Sequence, residues 1–226
     1  MRQLPLTQYP KEQLEFLLSG ISFIRTLKED NPLEAELILG ASHLYEADPG
    51  EQITTRGSQV DTLYFLLRGQ LLVYPDEDVE DIAPVSIVSP GQVIGALELA
   101  ADQPATGSVA VDETVGRALL LGVEHAVLGR GVMPGLIHPE TKVSLLRLIA
   151  NNARWRVDQY RSRYPDCPHA SRMGEIPIAL AQTQTNKQIE SLVLQCTVIA
   201  DLLRDWKNWL RQQDDDIPIL RDFDNG

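Results

Sequence analysis

Between Gly50 and Val109 no apolar run gets far before a glycine, proline or aspartate stops it. Pro49-Gly50-Glu51-Gln52-Ile53, Arg56-Gly57, Asp61-Thr62-Leu63-Tyr64-Phe65-Leu66-Leu67-Arg68-Gly69 and Ser89-Pro90-Gly91-Gln92-Val93-Ile94-Gly95 follow one another with short polar gaps. Runs of Leu, Val, Ile, Tyr and Phe bounded in this way read as strands joined by tight turns. Several such strands in sequence call for a sandwich or barrel-like β-roll.

The rest of the chain has to be placed around that roll. At 226 residues it exceeds the roughly 120 that a roll needs and fits one or two domains. An apolar content of 43% is enough for a core. No apolar run approaches the ~18 residues of a membrane span. Met1-Arg2-Gln3-Leu4-Pro5 opens neither a signal-peptide core nor a cleavage site. Cys167 and Cys196 sit in different segments and read as free thiols of a reducing compartment. The expected location is therefore the cytoplasm, with no membrane partner. The net charge of −12 argues against a nucleic-acid surface unless a basic face is concentrated somewhere.

Four motifs stand in register. They are Gly50-Glu51-x-Ile53, Asp61-x-Leu63-Tyr64-Phe65 running to Gly69, Pro90-Gly91-Gln92 followed by Ile94-Gly95, and Leu145-Leu146-Arg147-Leu148 in a later helix. Together they resemble the cyclic nucleotide-binding domain of the catabolite activator protein (Crp/Fnr) superfamily, over about Ser42 to Tyr164. The resemblance implies a mainly β plus α fold: a β-roll of the jelly-roll, double-stranded β-helix type, then a long helix and a C-terminal helical segment.

The ligand segment departs from that family. Its phosphate-binding cassette has the form Phe-Gly-Glu, a short helix, then Pro-Arg-Ser/Thr-Ala. Here Ile94-Gly95-Ala96-Leu97 and Pro104-Ala105-Thr106-Gly107-Ser108 align with it without a gap. The glutamate for the ribose hydroxyl falls on Ala96, and the arginine for the cyclic phosphate falls on Ala105. A charge-assisted bond to a buried anion contributes about 1.5–3 kcal/mol, so both losses weaken nucleotide binding. What remains is the amides near Gly95, Ala96 and Leu97, and the hydroxyls of Thr106 and Ser108. Glu98 is two positions from the lost acid around a helical turn, and is expected to point elsewhere. The positions that read the purine in the family fall on Gln159 and Tyr160. The segment reads as a vestigial pocket, or as a modified cassette for a cyclic nucleotide or another small anion.

The chain divides by composition. Residues 1–41 read as a helical lead-in and 42–137 as the roll. The acidic stretch Asp76–Asp81 reads as a solvated hairpin tip; it lacks the glycine and alternating oxygens of a calcium loop. His125 opens a short helix in a structural role. A long helix fills 138–164, with Pro139 and Glu140 as its start signals. Leu146, Ile149, Ala153, Val157 and Tyr160 form an apolar stripe on it, expected to lid the pocket and to pair two copies into a homodimer. The same helix carries most of the concentrated positive charge, at Lys142, Arg147, Arg154, Arg156, Arg161 and Arg163.

Residues 165–177 read as a linker without regular structure, given Pro165, Pro168, Gly174 and Pro177. Cys167 and His169 lie close together, but nothing nearby completes a zinc set. Residues 178–213 read as one amphipathic helix, with a heptad pattern through Ile189, Leu192, Cys196, Ile199, Leu203, Trp206 and Leu210. Ile199, Leu203, Trp206, Trp209 and Leu210 are the expected surface for a protein partner, or else fold back on the long helix. Ile199–Leu203 and Leu202–Lys207 each echo half of a helix-turn-helix, but the echoes overlap and lack the turn glycine, which disfavours DNA. Residues 214–226 form an acidic tail. No nucleophile–base pair, metal set or phosphate loop suggests catalysis. The expectation is a non-enzymatic regulatory module acting through dimerisation and protein contacts. The alternatives are a diverged transcription regulator and a small-anion sensor.

Overall fold

The computed structural model describes residues 1–76, 83–178 and 184–212. Among them nine strands form two antiparallel sheets. The first holds β1 (Arg2–Leu4), β2 (Ser42–Ala47), β9 (Ala118–Glu124), β4 (Thr62–Arg68) and β7 (Val93–Ile94) in that spatial order. The second holds β3 (Gln52–Thr54), β8 (Ser108–Val111), β5 (Leu71–Tyr74) and β6 (Ser86–Val88). This is the expected β-roll. Strand β9 lies between β2 and β4, pairing Leu121 with both Leu44 and Phe65. It is buried from Ala118 through Val123, which is why its sequence is a continuous apolar run rather than an alternation.

Three α-helices precede the roll: α1 (Lys11–Ser19), α2 (Ser22–Asp30) and α3 (Pro32–Gly40). Asn31 caps α3 by accepting the Glu34 amide at 3.3 Å, and Pro32 follows as the first helical residue. Phe23 of α2 stacks on Phe65 of β4 with ring centroids 6.3 Å apart. The buried carboxylate of Glu34 takes the backbone amide of His138 and the hydroxyl of Thr141. It thereby fixes the start of α6 (Pro139–Arg163) to the N-terminal helices.

After α4 (Ala96–Ala101) and α5 (His125–Leu128), α6 leads to a last helix, α7 (Thr185–Arg211). It is unbroken, so both helix-turn-helix echoes fall inside one continuous helix. The α6 stripe and the heptad positions of α7 belong to the same hydrophobic core as the roll. Residues 165–177 differ from the sequence expectation: Pro168–Glu175 form a 3-10 helix. Pro168 opens it, where a missing N–H costs nothing. Of the expected hairpin tip Asp76–Asp81 only Asp76 is among the described residues, and the acidic tail at 214–226 lies outside them.

Candidate functional site: a cassette under the last helix

Strand β7 ends at Ile94, and the chain turns at Gly95 into α4. Gly95 has φ +75°, and a Cβ there would stand 2.8 Å from the Thr62 carbonyl oxygen, so the turn admits only glycine. From α4 the chain passes through Asp102 to Ala105 and Thr106 and enters β8 at Ser108. Ala96, Leu97, Ala105, Thr106 and Ser108 are all buried. The structure thus gathers Gly95, Ala96, Leu97, Ala105, Thr106 and Ser108 into one small site with no carboxylate at 96 and no guanidinium at 105.

The cation in this site comes from another element. Lys207 of α7 donates from Nζ to Thr106 Oγ1 at 2.8 Å, and Thr106 donates onward to Glu98 Oε1 at 3.2 Å. Glu98 therefore turns toward the cassette, against the sequence expectation, because the Thr106 hydroxyl and the Lys207 charge both draw it there. Lys207 is only 3% exposed. Burial pushes its ammonium down to about 8, with Glu98 opposing that shift and Arg156 and Arg56 adding to it. Room for the ammonium comes from Gly107, which stands where the family cassette has alanine. A Cβ on Gly107 would lie 2.9 Å from Lys207 Nζ and 2.4 Å from the Tyr74 carbonyl oxygen.

A row of polar contacts continues along α7. Gln103 donates to Asp201 at 3.0 Å and accepts from Arg204 at 2.8 Å. The Arg56 amide donates to Ser108 Oγ at 3.0 Å, and its guanidinium donates to Asn208 Oδ1 at 2.6 Å. Arg211 pairs with Asp76, just beyond β5. Positions 201, 204, 207, 208 and 211 recur every three or four residues, so they share one helical face. The Thr106 and Ser108 hydroxyls, expected to be left for an anion, are engaged by Lys207 and Arg56.

The remaining expected residues are placed differently. Leu146, Ile149, Ala153, Val157 and Tyr160 are buried within the chain, and α7 packs along α6, so the stripe expected to pair two copies is covered. Ile199, Leu203, Trp206 and Leu210 are buried too, and Trp209 is half-buried against the same core. The face expected for a partner is therefore an internal seam. Tyr160 and Trp206 meet edge to face, centroids 5.9 Å apart. Gln159 and Tyr160 line a separate groove with Ser86, Ile87 and Trp155, which includes no cassette residue. They do not join the site expected to hold a base.

Sequence reasoning missed Arg56, Gln103, Asp201, Arg204, Lys207 and Asn208. The available signals were the second, polar stripe on α7 and the glycine at 107. Burial pushes the Cys196 thiol up to about 12 and raises that of Cys167, which leaves both inert. Among the described residues no cluster of three His, Cys, Asp or Glu could hold a metal, and no helix is long and apolar enough to cross a membrane.

Residues 45–125 match the family model of the cyclic nucleotide-binding domain. A cyclic nucleotide-binding domain from Methylobacillus flagellatus superposes with a TM-score of 0.50 at 19% identity, covering 67% of this chain and 84% of that one. Cyclic-AMP-bound PfPKA-R (141–441) superposes with a TM-score of 0.50 at 14% identity. That match covers 67% of this chain and spans 46% of the PfPKA-R chain. Both likenesses are of fold. No curated relative matches in sequence.

Proposed function

We propose that this chain is a non-enzymatic regulatory module, built on the segment 45–125 that matches the cyclic nucleotide-binding domain model, whose cassette does not take cyclic AMP in the standard way. The observation that carries this reading is the buried Lys207 ammonium bonded to Thr106. A cyclic phosphate entering the cassette would have to displace α7. The Leu192, Ile199, Leu203, Trp206 and Leu210 side chains that this would uncover contribute about 1.5–3 kcal/mol each by burial. A charge-assisted bond to the phosphate returns about 1.5–3 kcal/mol in total. The helix wins by a wide margin.

On this reading the roll serves as a shaped scaffold, and the protein acts in the cytoplasm through contacts with other proteins. A homodimer built on the α6 stripe would require α7 to leave, so those contacts lie on other surfaces. Titration calorimetry of the full chain with cyclic AMP and cyclic GMP tests the reading. The expected result is no binding heat and no thermal shift. A ligand at about 100 times its Kd adds roughly 2.7 kcal/mol, a rise of about 5–10 °C for a chain of this size. A shift of that order would overturn the proposal.

A further inference from the structure

Away from the cassette, α6 and α7 enclose a cleft of about 330 Å³. Arg147, Asn151 and Arg154 line it from α6, and Gln188, Leu192 and Gln195 face them from α7 at the same helical spacings. Leu192 is buried and gives the cleft an apolar floor. Arg147 donates to Gln188 Oε1 at 3.2 Å. Arg154 and the buried Gln195 both donate to the Pro177 carbonyl oxygen, at 2.8 and 2.6 Å. Neutral acceptors thus hold both guanidiniums in place. Other arginines of the chain meet carboxylates: Arg130 pairs with Asp61 and Asp102, Arg172 with Glu175 and Asp205, and Arg211 with Asp76. Among the described residues no carboxylate lines this cleft. Residues 179–183, Ala-Leu-Ala-Gln-Thr, contain none either.

We propose that this cleft binds a small organic anion through a phosphate or carboxylate group, and that the bound anion ties α7 to α6. A guanidinium carries five N–H donors in a fork that matches such oxyanions. Each of these two makes one hydrogen bond among the described residues, so most of their donors are left for a ligand. Asn151 stands between them on the same helical face and adds a neutral donor. In a chain of net charge −12 this local positive excess is not a property of the surface at large. A cleft lined by one sign of charge focuses the field on an incoming counter-ion. Its volume is at the small end for ligand pockets, which suits a compact molecule. Residues 195 and 207 stand about 18 Å apart along α7, so an anion here leaves the Lys207 bond to Thr106 in place. Held at this end, α7 stays closed over the cassette.

NMR titration of the full chain tests this with three probes at fixed ionic strength: inorganic phosphate, pyrophosphate and citrate. The expected result is saturable movement of the Asn151 and Gln195 side-chain amide signals with at least one probe. A response to the phosphates or to citrate tells which head group the cleft takes. Arg147→Gln/Arg154→Gln should weaken that binding about tenfold or more. Arg161→Gln, which removes a charge of α6 outside the cleft, should leave it unchanged. The bound probe should also raise the Tm of the wild type and not that of the double variant. Signals that stay fixed with all three probes overturn the proposal. So does movement that never saturates, equal binding by the double variant, or equal weakening by Arg161→Gln, each of which marks general screening of charge. The wild-type titration decides the matter even if the double variant does not fold. Cyclic AMP has no part in it, so its failure would leave the reading of the cassette standing.

Discussion

Lys207 Nζ lies 2.8 Å from Thr106 Oγ1, in the loop where the family cassette carries its own arginine. A positive charge stands at this site. The charge enters from the last helix of the chain and is bonded within the protein, through Thr106, to Glu98.

The pH dependence of stability follows from that burial. Lys207 falls from an ordinary 10.5 to about 8 when folded. Between those values the unfolded chain binds more protons at this site than the folded one, so this group makes stability rise with pH across roughly 8 to 10.5. Below about 8 both states carry the proton and the burial penalty is constant. Lys207→Met removes the titration while keeping the apolar stem. The difference in unfolding free energy, variant minus wild type, should shrink as pH rises through that window. Denaturant melts of both proteins at pH 7, 8.5 and 10 check it, and parallel curves would contradict it.

Gly107→Ala should destabilise the fold by about 1–3 kcal/mol, because the new methyl meets the Tyr74 backbone 2.4 Å away. That corresponds to a fall in Tm of roughly 2–4 °C per kcal/mol. Thermal unfolding followed by circular dichroism measures it.

Trp206→Ala should lower stability by about 3–5 kcal/mol and leave the association state unchanged, since the indole fills the chain's own core. A melt paired with sedimentation analysis separates the two effects. An unchanged melt with a change in mass would return Trp206 to a partner surface.

Ala96→Glu combined with Ala105→Arg restores the family's side chains, yet should not create cyclic nucleotide binding. The new guanidinium would enter a buried site next to the Lys207 ammonium, and like charges there repel. A lower Tm with no calorimetric signal for cyclic AMP is the expected pair of results.

The roll was legible because its strands are local. The glycine-bounded runs that hold Leu63–Arg68 and Val93–Ile94 each specify a strand without reference to distant residues. The long helix from Pro139 and the unbroken heptad from Ile189 were legible for the same reason. What covers what was not. The α6 stripe and the α7 stripe are both apolar at helical spacing, and such a pattern says that a face is buried without saying against which chain. Lys207 was hidden for a related reason, since a lysine between Trp206 and Asn208 on an amphipathic helix reads as solvent-facing. Only the packing of α7 across α4 brings it beneath Thr106.

Because α7 follows every element it covers, it is also the last of them to leave the ribosome. The roll and α6 are complete while the cassette is still open and the stripe from Leu146 to Tyr160 still faces water. A nascent chain paused before Thr185 therefore presents the apolar surface that the finished protein hides. Chaperone demand and aggregation during synthesis should concentrate in that interval, and should end once Arg211 has emerged and can reach Asp76.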